Sequence, residues 1–74
     1  MDEEKEELLE NMKTAFGRAW DTEIHFIQLL KELREEVRPG LEEKIETMIE
    51  ISEGRKRNYL RYRELVKEIL EKER

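Results

Sequence analysis

The chain contains no cysteine, a single proline, three glycines and one histidine. Without cysteine there is neither a disulfide framework nor a thiolate metal site, and His25 alone cannot assemble a metal centre. The glycines are too scattered to form a phosphate-cradling loop. Among eighteen glutamates no His-Glu-x-x-His or Glu-x-x-His spacing occurs. No apolar run approaches the roughly 18 residues required to cross a bilayer. The acidic start, Asp2-Glu3-Glu4, is the opposite of the basic opening of a signal peptide. These absences predict a soluble, cytoplasmic-type chain without catalysis, cofactor, metal or membrane partner.

What the chain does hold is charge and periodic apolar residues. At 74 residues it is one domain, 1–74, and a chain of this size buries only about 60% of the surface its unfolded form exposes. Small domains of that kind are usually reinforced by disulfides, metal or a partner chain, and here only the partner is left. Charged residues make up 47% of the sequence against 36% apolar. That is the composition of a solvent-exposed helical bundle; disorder, the competing reading of high charge, is opposed by the regular apolar spacing. The net charge of -5 is unevenly placed, at -9 over residues 1–54 and +4 over residues 55–74.

Arg38-Pro39-Gly40 is the only strong punctuation, since Pro39 disfavours helix at Arg38 and Gly40 suits a turn. Before it, Leu8, Leu9, Met12, Phe16, Trp20 and Ile24 open an i, i+3, i+4, i+7 pattern that continues through Val37. Acidic residues crowd the first turn of this segment and Arg34 and Arg38 lie near its end, as the helix macrodipole favours. After the turn, Leu41, Ile45, Met48 and Ile49, then Tyr59, Leu60, Leu65, Val66, Ile69 and Leu70, repeat the pattern. The spacing predicts an all-α antiparallel hairpin with helices over about 3–37 and 40–73.

The segment Glu53-Gly54-Arg55-Lys56-Arg57-Asn58 is the weak point of the second half, because glycine costs about 1 kcal/mol against alanine in a helix interior. With Gly54 as a C-terminal cap, Asn58 as an N-cap and a weaker break over Gly17-Asp21, the same chain makes a compact bundle of three or four helices. The apolar arc is wide in both architectures, about 200° in each half against the stripe of at least about 100° expected of a helix facing one core. A lone hairpin leaves part of that arc uncovered. Two hairpins associating as an antiparallel four-helix bundle cover it, and so does the compact bundle internally.

Glu23 stands inside the apolar arc, with Ala19, Trp20, Phe26 and Ile27 as its one-turn neighbours, and a carboxylate there requires a partner. In a hairpin turning at residue 39, facing residue numbers sum to about 78, which brings Glu23 level with Arg55. Arg55 is itself flanked by Ser52, Tyr59 and Tyr62. The pair reads as a polar layer that sets register, or as two side chains reaching outward to water. His25 points off the apolar face and reads as a surface residue. Leu9, Phe16, Trp20, Glu23, Ile24 and Ile27 of the first half, with Arg55, Tyr59 and Tyr62 of the second, are the candidate interface. The partner is a second copy, as a homodimer, or a helical protein docked by a monomer on an aromatic surface around Phe16, Trp20, Ile24 and Ile27. Arg55, Lys56, Arg57, Arg61 and Arg63 beside two tyrosines have the chemistry of phosphate contact and stacking. Against the acidic remainder, a salt-bridged face is expected and nucleic acid is not.

With its Glu/Lys/Arg exterior, absent cysteine, cap-like Asp2 and Pro39-Gly40 turn, the chain resembles de novo designed helical hairpins and miniature bundles over its whole length. Gly17, Gly54 and the scarcity of alanine depart from that pattern. The resemblance implies an artificial assembly module or a binder.

Overall fold

The computed structural model describes all 74 residues as two long helices, α1 (Glu3–Glu36) and α2 (Glu42–Glu73). They pack antiparallel into a rod of 56 × 14 × 11 Å. The expected hairpin is observed, with the outer helix ends as read from the sequence and the two ends at the turn one and two residues inside.

Each end of α1 has a local cause. The Asp2 side chain accepts a hydrogen bond from the Lys5 backbone N–H at 2.8 Å, occupying one of the donors a helix start leaves open. At the other end Val37 is extended, so the helical conformation ends two residues before Pro39. The Leu41 N–H donates to the Arg38 carbonyl at 3.1 Å, and Gly40 has φ +97°. Proline followed by a glycine of positive φ is the arrangement of a type II turn. A side chain at position 40 would be strained.

The three- or four-helix alternative is overturned. α2 runs unbroken through Gly54 and Asn58, and α1 through Gly17 and Asp21. One glycine costs about 1 kcal/mol, too little to interrupt a helix whose contact face continues in phase on both sides. Gly54 is also bracketed by an ion pair one turn apart, Glu53 to Lys56 at 3.0 Å. The hydrogen bond from Lys56 is the main cause holding the Glu53 carboxyl below its ordinary pKa.

Cross-helix pairs fix the register along the whole rod. Lys5 meets Glu73 at 3.1 Å, the Phe16 and Tyr62 rings stack with centroids 5.0 Å apart, and Arg34 donates to Glu46 at 2.6 Å. At the open end Arg74 donates to Glu6 at 2.8 Å and to Glu10 at 3.3 Å. Glu6, through its hydrogen bond first, raises the pKa of Arg74 above its usual value. The residue numbers in these pairs sum to between 78 and 84, so the acidic first turns of α1 do lie beside the end of α2. The outer ion pairs are exposed, so water and salt screen them.

Candidate interaction surface

The seam between the helices recurs at alternating steps of three and four residues. On α1 it runs from Leu9 through Phe16, Trp20, Glu23, Ile27 and Leu30, and on α2 through Ile45, Ile49, Ser52, Tyr59, Val66 and Leu70. That spacing is the heptad repeat of a coiled-coil contact. Only Ile27, Ile45, Ile49, Val66 and Leu70 form a buried apolar core, with Glu23 and Ser52 buried among them. A core of five side chains is small for two helices of this length.

At the middle of the rod stands the pair anticipated from sequence. Arg55 Nε lies 2.7 Å from Glu23 Oε1, and Arg55 Nη2 donates to Glu23 Oε2 at 3.4 Å. The two partners are unequally placed, the Glu23 side chain being 6% exposed and that of Arg55 52%. Helix packing removes the carboxylate from water, while the guanidinium covers it from the outside.

The remaining candidates divide between seam and surface. Leu9, Phe16, Trp20, Ile24 and Tyr59 are half-buried and Ile27 is buried, whereas Arg55 and Tyr62 are exposed. Phe16, Trp20 and Ile27 are therefore largely occupied by contact with α2 and do not form one open aromatic patch with Ile24. Phe16, Trp20 and Tyr59 do show their edges in a groove beside Gly17, but Lys13, Asp21 and Arg63 share its lining. His25 is exposed on α1. In the basic stretch, Arg55 and Lys56 are engaged by Glu23 and Glu53 respectively.

The larger apolar surface is one of which the candidate set holds only Tyr62 and Arg55. On α1, Leu8, Met12, Phe26, Leu29 and Leu33 are between 39% and 61% exposed. On α2, Met48, Ile51, Tyr62, Leu65 and Ile69 are between 37% and 54% exposed. Both sets follow the same heptad spacing as the seam, shifted back by one residue. In a helix one residue is a rotation of about 100°, so each helix carries a second contact stripe beside the first. Because the helices face each other and run in opposite directions, the same backward shift turns both stripes toward the same side of the hairpin. Phe26, Met48 and Ile51 accordingly line one groove, together with Leu30, Ser52 and Arg55.

A forward shift by one residue leads to the other side, occupied by Thr14, Asp21, Gln28 and Lys31 of α1 and by Glu50, Glu53, Arg57 and Glu64 of α2. Ile24 and Leu60 are the apolar exceptions there. The hairpin is thus amphipathic as a whole, with one apolar and one charged side. The signal for the apolar side was present in the sequence as two heptad stripes one residue apart, which a reading of total arc width merges into one broad face.

The accessible surface is 5936 Å². A compact globular protein of 9.1 kDa exposes about 4,900 Å² by the usual scaling of area with mass. The excess of about 1,000 Å² is comparable to the roughly 800 Å² that each partner contributes to an interface of standard size. Neither helix is long and apolar enough to cross a membrane. In comparisons with known proteins, no family model matches the chain and neither a curated protein nor a solved structure is found similar to it.

Proposed function

We propose that the chain is a self-associating structural module, in which two hairpins bury their apolar sides against each other as an antiparallel four-helix bundle. The observation that carries this reading is the second heptad stripe, present on both helices and turned to one side, opposite a charged side. A heptad stripe is shaped to receive the side chains of another helix, and two parallel stripes receive a helix pair. Association would also enlarge a five-residue core, the remedy open to a small chain without cysteine. This reading assigns the chain no catalytic step and no cofactor. The heptad spacing, the Asp2 cap and the Pro39-Gly40 turn further support a designed assembly module as its origin.

The test contrasts two isoleucines of α2 by sedimentation and by melting over a dilution series. Ile51 is 54% exposed and Ile49 8%. A dimer loses mass or melts lower on dilution, because its stability includes a concentration term. Ile51→Lys should give a single-chain mass and leave the hairpin helical, while Ile49→Lys buries an unpaired charge and should unfold it. A parent protein of single-chain mass, with melting unchanged by dilution and by Ile51→Lys, refutes self-association.

A further inference from the structure

The apolar side has an internal asymmetry that bears on how a second copy sits. The cross-helix register sets its stripe positions in levels along the rod. From the open end, Leu8 is level with Ile69 and Met12 with Leu65, and toward the turn Leu29 is level with Met48. Between them the levels differ sharply in size and polarity. Ala15 is level with Tyr62, Ala19 with Asn58, Thr22 with Arg55, and Phe26 with Ile51. The midpoint of the apolar side falls between the Asn58 and Arg55 levels.

Resting on the self-association reading, we infer that the second copy lies with its turn at the opposite end of the rod. The two-fold axis then crosses the helices between these central levels and pairs Arg55 of each copy with Asn58 of the other. A two-fold that brings two such faces together must lie in the plane between them, so its axis runs either along the rod or across it. An axis along the rod sets every level against itself. The Phe26–Ile51 level would then meet a second Phe26–Ile51 level, while the thin Ala19–Asn58 level would meet only its own copy. One level is overfilled and another left hollow, both of which destabilise a packed interior.

An axis across the rod reverses the order of levels. Ala15 of one copy meets Phe26 of the other, Tyr62 meets Ile51, and Met12 meets Leu29, so that small and large side chains combine at each level. The polar groups are also matched only in this arrangement. Thr22 needs nothing, since its hydroxyl already donates to the Arg18 carbonyl at 3.0 Å. Within the chain Arg55 meets Glu23 through Nε and Nη2, which leaves Nη1 for an acceptor across the interface. The Asn58 amide oxygen of the opposed α2 is level with it. With the axis along the rod, Asn58 would face Ala19 and both polar groups would be covered without partners, the costly case for buried donors and acceptors. Charge acts in the same direction, because residues 2–10 carry six carboxylates and turns at opposite ends keep the two acidic segments apart.

The absence of native cysteine makes the test direct. Glu35 is exposed near the turn on the charged side, so Glu35→Cys can carry a single spin label outside both contact faces, and dipolar spectroscopy reads the separation between copies. Turns at opposite ends place the labels about 45–50 Å apart at 1.5 Å per residue. Turns at the same end place them under about 25 Å apart, given helix spacings of 8–10 Å. A long distance is the expected result. A short distance on a dimeric protein overturns the orientation and leaves self-association standing, whereas single-chain mass with no dipolar signal removes both. Asn58→Leu in the labelled protein should add a short-distance population, since Arg55 loses its acceptor; an unchanged single long distance refutes the Arg55–Asn58 pairing.

Discussion

Arg55→Met removes the only cation from a carboxylate that the hairpin itself has taken out of water. Glu23 is 5% exposed as a residue, and its oxygens lie 2.7 and 3.4 Å from the guanidinium. Stranding a buried charge in this way costs about 3–5 kcal/mol. In a domain of this size each kcal/mol lowers the melting temperature by about 4–8 °C, so the variant should melt roughly 12–40 °C below the parent. Glu23→Gln should cost less, about 1 kcal/mol in a hairpin whose partner face is open, because the guanidinium is half-exposed and regains water. A second copy covering that face would bring the two costs together. Replacing both residues, as Glu23→Leu with Arg55→Met, leaves no uncompensated charge and should restore most of the loss. Urea unfolding followed by helical circular dichroism yields each free energy from the transition midpoint and slope. An Arg55→Met variant within about 0.5 kcal/mol of the parent, the range of ordinary surface changes, or a double variant that shows no recovery, refutes the buried-pair reasoning.

Two further outcomes follow from local geometry. A β-carbon at Gly17 or Gly54 would find nothing nearer than the ends of flexible arginine side chains, at 4.0 and 3.8 Å. Gly17→Ala and Gly54→Ala should therefore each stabilise by about 0.5–1 kcal/mol, while Gly40→Ala, at φ +97°, should destabilise by about 1–2 kcal/mol; thermal melts in which all three shift the same way contradict this. The Glu53 carboxyl is held below 4.5 by Lys56, so its contribution is complete above that pH and is lost as pH falls through the lower folded value. Glu53→Gln should differ from the parent at pH 7 and converge with it in strong acid, and a difference that grows on acidification rejects the assignment.

Much of this architecture could be read from residue order because its causes are local. Asp2 meets the Lys5 N–H three residues away, and Pro39-Gly40 closes a turn from within four residues, so neither depends on distant packing. The register followed from the turn's position alone, since two rigid helices leaving a short turn must meet level by level, and this brought Glu23 to Arg55 on paper as in the structure. Gly54 resisted the same treatment. Its propensity was legible, but a cost of about 1 kcal/mol becomes a break only when packing gains nothing from continuity, and the gain is not local. The open apolar side is harder to read, because it is built largely of ordinary Leu, Ile and Met, whereas Phe16, Trp20 and Ile27 are conspicuous by type.

Sequence by itself determined two amphipathic helices, where they turn and which residues stand level with one another. Only the tertiary structure decided which of two adjacent stripes on each helix faces inward. Ser52 and Ile51 make the point, for residue type would bury the isoleucine, yet Ser52 is 3% exposed and Ile51 54%. A helix is rigid, and turning α2 by one residue to bury Ile51 would expose Ile45, Ile49, Val66 and Leu70 together. Glu23 and Ile27 on α1 would lose their facing partners in the same movement. Ser52 is buried because its whole stripe is, a choice that belongs to the matched pair of helices and to no single position in the chain.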